Sequence, residues 1–87
     1  MKYLDISKNE LVSVGNWIAN LTDLLIFKCD DNKISNVSDA IGYCMKLERI
    51  SLCVNNIEVL PEIFDQCLNL ISIRVSDNKI KVFPAFC

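Results

Sequence analysis

The sequence predicts an α/β repeat solenoid, in which short coils stack so that each contributes one strand to a parallel sheet. Two observations carry this. Asn9, Asn32, Asn55 and Asn78 stand 23 residues apart in a chain of 87 residues. Around each runs the same frame of apolar columns, free of charged residues: Met1, Leu24, Leu47, Leu70; Leu4, Phe27, Ile50, Ile73; Ile6, Cys29, Leu52, Val75; and Leu11, Ile34, Ile57, Ile80. Further columns follow: Val14, Val37, Leu60, Phe83; Trp17, Ala40, Ile63, Phe86; Ile18, Ile41, Phe64, Cys87; and Leu21, Cys44, Cys67. A chance amphipathic pattern would lose register within one shift of this length, whereas a repeat architecture keeps it.

Each coil begins with apolar alternation, which sends two side chains inward and the one between them outward. The strands are predicted near Tyr3–Ile6, Ile26–Cys29, Arg49–Leu52 and Ser72–Val75. The asparagine follows where the chain turns inward. Its amide is expected to satisfy backbone groups of the turn and of the next coil that would otherwise be buried unpaired. The return paths vary. Residues 15–20 suit a loose helical turn. Ser38 is placed to cap a short helix that Gly42 weakens, and Pro61 fits the first position of a helical turn with Glu62 complementing its dipole. Pro84 starts the same turn again. The whole of 1–87 reads as one domain with repeats near 1–23, 24–46, 47–69 and a truncated 70–87. Neither end looks like the polar cap a solenoid needs, so association through uncapped ends is expected unless the array continues.

Composition narrows the function classes. Net charge is −2 and no basic run is present, so neither a nucleic-acid backbone nor an anionic membrane is an expected partner. No apolar run reaches the ~18 residues of a membrane span. The first residues enter the repeat frame directly, leaving no room for a signal peptide. Five cysteines and no histidine, with no Cys-x-x-Cys, argue against a zinc site. Cys29, Cys44, Cys67 and Cys87 fall in apolar columns as small buried hydrophobes, and Cys53 in an outward column as a reachable thiol. Cys44 and Cys67 share a column, so a disulfide between them is conceivable. The odd count favours a reducing, cytoplasmic setting.

The stretch Leu47-Glu48-Arg49-Ile50-Ser51-Leu52-Cys53-Val54-Asn55-Asn56-Ile57 reads L-x-x-L-x-L-x-x-N-x-L, and Leu60-Pro61-Glu62-Ile63-Phe64 follows as L-P-x-x-I with Phe64 at the isoleucine place. Over essentially its full length the sequence resembles the leucine-rich repeat family, and by its period the intracellular Ras-group-related type. Gly15 and Ser38 stand where that type carries its proline. The resemblance implies a right-handed superhelix with the parallel sheet on its concave face and short helical or 3-10 turns on the convex side. It also implies a non-catalytic module that binds another protein, within a larger intracellular scaffold or signalling regulator.

Recognition in such a scaffold is expected on the outward strand columns, which project from rigid elements. These are Tyr3, Ile26, Arg49, Ser72 and Asp5, Lys28, Ser51, Arg74, followed by Ser7, Asp30, Cys53, Ser76 and Lys8, Asp31, Val54, Asp77. Tyrosine and arginine are common interface anchors, and Ile26 is apolar where solvent is expected. No catalytic or cofactor residues are predicted. Without histidine the commonest general base is missing, and two glycines cannot build a phosphate loop. Asp30-Asp31 lacks the clustered ligands of a cation site, and no base or helix N-terminus is evident to activate Cys53. Two other readings stay open: a fragment of an extracellular leucine-rich repeat receptor, suggested by Asn20-Leu21-Thr22 and Asn36-Val37-Ser38, or the recognition part of a multidomain enzyme such as a kinase.

Overall fold

The computed structural model describes residues 2–67 and 69–81. Its main sheet has four parallel strands, β1 Tyr3–Asp5, β3 Ile26–Lys28, β5 Arg49–Ser51 and β6 Ser72–Arg74, in that spatial order. Each residue pairs with the one 23 positions on, as in Leu4 with Phe27 and Phe27 with Ile50. Register is therefore set by the repeat itself. The pairing extends past the strand ends, where Ile6 N–H donates to the Lys28 carbonyl at 2.8 Å, Cys29 N–H to Ser51 at 2.9 Å and Leu52 N–H to Arg74 at 2.8 Å. All four strands begin where the alternation predicted and stop one residue sooner.

A second, two-stranded parallel sheet pairs β2 Ser13–Val14 with β4 Asn36–Val37. No sequence cue announces it, because Ser13 and Asn36 are poor strand formers and only the column of Val14 and Val37 is apolar. Among the described residues three 3-10 turns form the return side: η1 Asn16–Asn20, η2 Asp39–Tyr43 and η3 Glu62–Gln66. Ser38 caps η2 as expected, its Oγ accepting from Ala40 N–H at 3.1 Å. The same hydroxyl donates to Asn16 Oδ1 at 2.5 Å and so ties η2 to the coil before. Pro61 stands one position earlier than expected, in extended backbone immediately before η3. The turn expected at Pro84, like the columns ending in Phe83, Phe86 and Cys87, lies outside the described residues.

Gly42 has a role other than weakening its helix. A Cβ there would collide with Cγ1 of Ile63, so its bare backbone is what lets η2 and η3 stack. The core lies between the sheet and these turns. Val14, Ile18, Leu24, Phe27, Cys29, Ile34, Ile41, Cys44, Leu47 and Leu52 are fully buried there. The first coil is less enclosed. Leu4, Ile6, Leu11 and Leu21 are only partly buried, and Trp17, expected inward, remains 42% exposed. Its ring meets Phe27 edge-on, with centroids 6.3 Å apart.

Candidate functional site

The asparagine column is the hinge between strand and return path. Asn32 Oδ1 accepts from Asn9 N–H at 3.0 Å and Leu11 N–H at 3.2 Å, both in the previous coil. Its Nδ2 donates to the carbonyls of Ile6, Cys29 and Asp30. Asn55 repeats this, accepting from Ile34 N–H at 3.1 Å and donating to Cys29, Leu52 and Cys53. Asn78 accepts from Ile57 N–H and donates to Leu52, Val75 and Ser76. The Asn9 side-chain amide donates only within its own turn, to Ile6 and Ser7. The residue before each asparagine, Lys8, Asp31, Val54 or Asp77, adopts positive φ between 56° and 60°. These four were expected on the outward face and are exposed there, and their backbone also makes the turn beside each asparagine.

A second ladder runs beside the first. Ser7 Oγ accepts from Asp30 N–H at 3.0 Å, and Asp30 Oδ1 accepts from Cys53 N–H at 2.7 Å and from the Ser51 hydroxyl at 2.6 Å. That column was read as a recognition column, and two of its side chains, Ser7 and Asp30, bond the next coil. Asp30 is thereby occupied, and no cluster able to hold a metal ion occurs among the described residues. Cys53 is half-buried and keeps a free thiol, as do the buried Cys29, Cys44 and Cys67. Burial, with help from the Asp30 and Asp5 charges, pushes the Cys29 thiol up to about 12, and burial also raises Cys44 and Cys67. None of the three is an activated nucleophile.

The eight outward residues of the strands come together by register. Tyr3, Ile26, Arg49 and Ser72 form one row across the sheet, and Asp5, Lys28, Ser51 and Arg74 the next. Seven of these, all but Asp5, line a shallow groove of about 440 Å³, together with Asp30, Ile71 and the inward-facing Phe27 and Ile50. Tyr3 is 52% exposed, and the Lys28 ammonium lies 5.9 Å from its ring centroid. Ser51 departs from expectation at 8% exposure: it is the smallest side chain in its row, and its hydroxyl turns down to Asp30. It makes the floor of the groove, with Lys28 and Arg74 on either side of it. Arg49 and Arg74 are exposed and make no ion pair or side-chain hydrogen bond among the described residues. Asp5 accepts from Ser7 N–H at 3.0 Å, and hydrogen bonding by Ser7, with the Lys28 charge, holds its carboxyl below the usual range.

Ile71 was missed by sequence reasoning. It is 73% exposed at the groove edge, one residue ahead of β6. Its column holds Lys2, Leu25, Glu48 and Ile71, a mixture with no periodic signal. A separate apolar hollow of about 740 Å³ opens on the first coil, lined by Leu4, Ile6, Asn9, Glu10, Leu11, Trp17 and Leu21. No described helix is long and apolar enough to cross a membrane.

The parallel ladder in 23-residue register and the asparagine hinge define a leucine-rich-repeat-like fold. A solved leucine-rich repeat protein of Leptospira interrogans has that fold, matching this chain with a TM-score of 0.89 and 27% sequence identity. The match covers 93% of this chain and 21% of that one, so the chain spans only a small part of the protein it resembles. No protein-family model and no curated protein matches the sequence.

Proposed function

We propose that the chain is a non-catalytic protein-interaction module that binds a protein partner on the outer face of its four-stranded sheet. The observation carrying this is the in-register array of Tyr3, Ile26 and Arg49 over Asp5, Lys28 and Arg74. It unites an aromatic, an aliphatic and three cations, of which the two arginines make no ion pair among the described residues, on a rigid scaffold, the side-chain mixture of interface anchors. In this reading the sheet lines the concave side of a right-handed superhelix of the Ras-group-related type, with the 3-10 turns on the convex side. A place within a longer protein fits a match that covers 21% of the neighbour, and the scaffold or signalling role follows from the family resemblance alone. The free, buried thiols fit a cytoplasmic setting. A net charge of −2 with no basic run in the sequence favours a protein over nucleic acid or an anionic membrane as the partner.

The test compares proteins captured from the parent cells by the wild type, by Tyr3→Ala/Arg49→Ala and by Tyr43→Ala on the return side. Loss of a captured protein from the double variant alone is the expected result. Identical capture by all three removes the strand face as the site. The open hollow at Leu4, Ile6 and Leu11 favours a second reading, self-association through the first coil. Light scattering of a Leu11→Glu variant, unchanged from a wild-type monomer, would dismiss it.

A further inference from the structure

We infer that the groove on the sheet face selects an extended acidic peptide segment, one whose carboxylates alternate with apolar side chains. The inference rests on the protein-binding reading above and specifies its partner. Charge is the first argument. Across the chain acidic residues exceed basic ones, 11 to 9, yet the groove reverses the sign. Its charged lining is Lys28, Arg49 and Arg74 against Asp30, and the Asp30 Oδ1 is already filled by the Ser51 hydroxyl and the Cys53 N–H. The two arginines have no acidic partner among the described residues, so their forked donors are available to a carboxylate in two-point geometry.

Placement is the second argument. Lys28, Ser51 and Arg74 share one row on three neighbouring strands, and Arg49 stands two residues back on the middle strand. Inter-strand spacing of about 4.8 Å sets Lys28 and Arg74 roughly 10 Å apart at the backbone, with the small, buried Ser51 leaving a depression between them. An extended chain repeats its same-side residues every ~6–7 Å, so carboxylates one or two such steps apart reach both cations. The third argument separates a peptide from a uniform polyanion. Tyr3, Ile26 and Ile71 give the groove apolar flanks, and Asp5 stands beside Lys28 in its row. A phosphate backbone or an anionic lipid surface would leave those apolar groups unused and press charge against Asp5. A segment interleaving carboxylates with apolar side chains matches both features.

The test is selection from a displayed library of short random peptides against the wild type, Arg49→Glu/Arg74→Glu and Tyr3→Ala/Ile26→Ala. Peptides selected on the wild type are expected to be enriched in Asp and Glu. Their affinity should fall at least about tenfold on the charge-reversed variant and weaken with added salt, as contacts between opposite charges do. Selection against the charge-reversed variant should recover basic peptides instead, which also shows that this variant is folded. Peptides that need Tyr3 and Ile26 but carry no acidic enrichment would overturn the acidic specificity and leave the face as a binding site. Peptides indifferent to every one of these substitutions would overturn the face itself. Competition by a single-stranded oligonucleotide or phosphatidylserine vesicles at equal anion concentration would overturn the peptide in favour of a generic polyanion site.

Discussion

Asn9 and Asn55 occupy the same place in the same frame, and the structure treats them differently. Asn55 is buried, with a coil on either side, and its amide bonds both its own turn and the coil before it. Asn9 lies exposed in the first coil, and its side-chain amide bonds only its own turn. The same contrast runs through the apolar columns: Phe27 and Ile50 are sealed, while Leu4 in their column is only half-buried. A repeat residue therefore does not carry a fixed energetic value. What it contributes depends on whether a neighbouring coil is there to accept its bonds and cover its surface.

The largest expected effect tests that contrast directly. Asn55→Ala strands the Ile34 N–H in the core and takes one of two donors from the carbonyls of Cys29, Leu52 and Cys53, which keep Asn32, Asn78 and the Asp31 N–H, so it should destabilise by ~2–3 kcal/mol, the upper part of the range for one unsatisfied buried group. Asn9→Ala leaves solvent-reachable carbonyls and should cost about 1 kcal/mol or less. Denaturant midpoints of the two variants measure the difference, and equal losses would mean that the asparagine acts through its own turn alone.

The glycines offer a second pair. Gly42→Ala pushes a methyl into Ile63 between two packed turns and should cost ~1–3 kcal/mol, as overpacking does. At Gly15 a Cβ meets only the edge of the half-exposed Trp17 ring, at 3.2 Å, and that ring has room to shift. Gly15→Ala is expected to be near neutral in thermal melting, and a loss as large as that of Gly42→Ala would refute this account of where the stack is tight.

Val54 sharpens the comparison at the turn. Lys8, Asp31 and Asp77 adopt the same left-handed backbone, but only Val54 is β-branched, the side-chain type least tolerant of positive φ. Its side chain is exposed, so no core packing offsets the strain. Val54→Asn should raise stability by about 1 kcal/mol, visible as a higher melting temperature. No gain would show that the turn's neighbours, and not its torsion, set its cost.

These contrasts also mark how far the sequence could be read. The frame of columns located the four strands and the asparagine hinge, because a buried position in a repeat forbids charge and so leaves a periodic trace. The row of Asp5, Lys28, Ser51 and Arg74 was legible for the same reason, since a residue between two inward positions faces outward, though Ser51 is covered and bonds Asp30. The rest depended on contacts between coils. Ser7 and Asp30 looked like surface because hydrogen bonds to the next coil's backbone demand polarity, which solvent also permits. Gly42 gave no hint of the Ile63 contact, since that closeness arises only when coils stack. Ile71 shares its column with lysine and glutamate, so exposure there left no pattern to detect.

The smallest expected effect concerns the ion pairs between coils. Lys46 meets Asp23 at 3.0 Å and Lys81 meets Glu58 at 3.0 Å, each pair one repeat apart and open to solvent. The Lys46 hydrogen bond and charge hold the Asp23 carboxyl below its ordinary value of 3.8. On acidification the folded carboxylate therefore takes up its proton later than the unfolded one does. Whatever Asp23 contributes is complete above that ordinary value and is lost as pH falls through the lowered one. Solvent screens both partners, so Asp23→Asn should leave the melting temperature at neutral pH essentially unchanged. The variant should also lose slightly less stability than the wild type as pH falls through the acidic range. A clear drop at neutral pH, abolished by added salt, would show instead that charge pairing between coils adds to the asparagine ladder in holding the stack together.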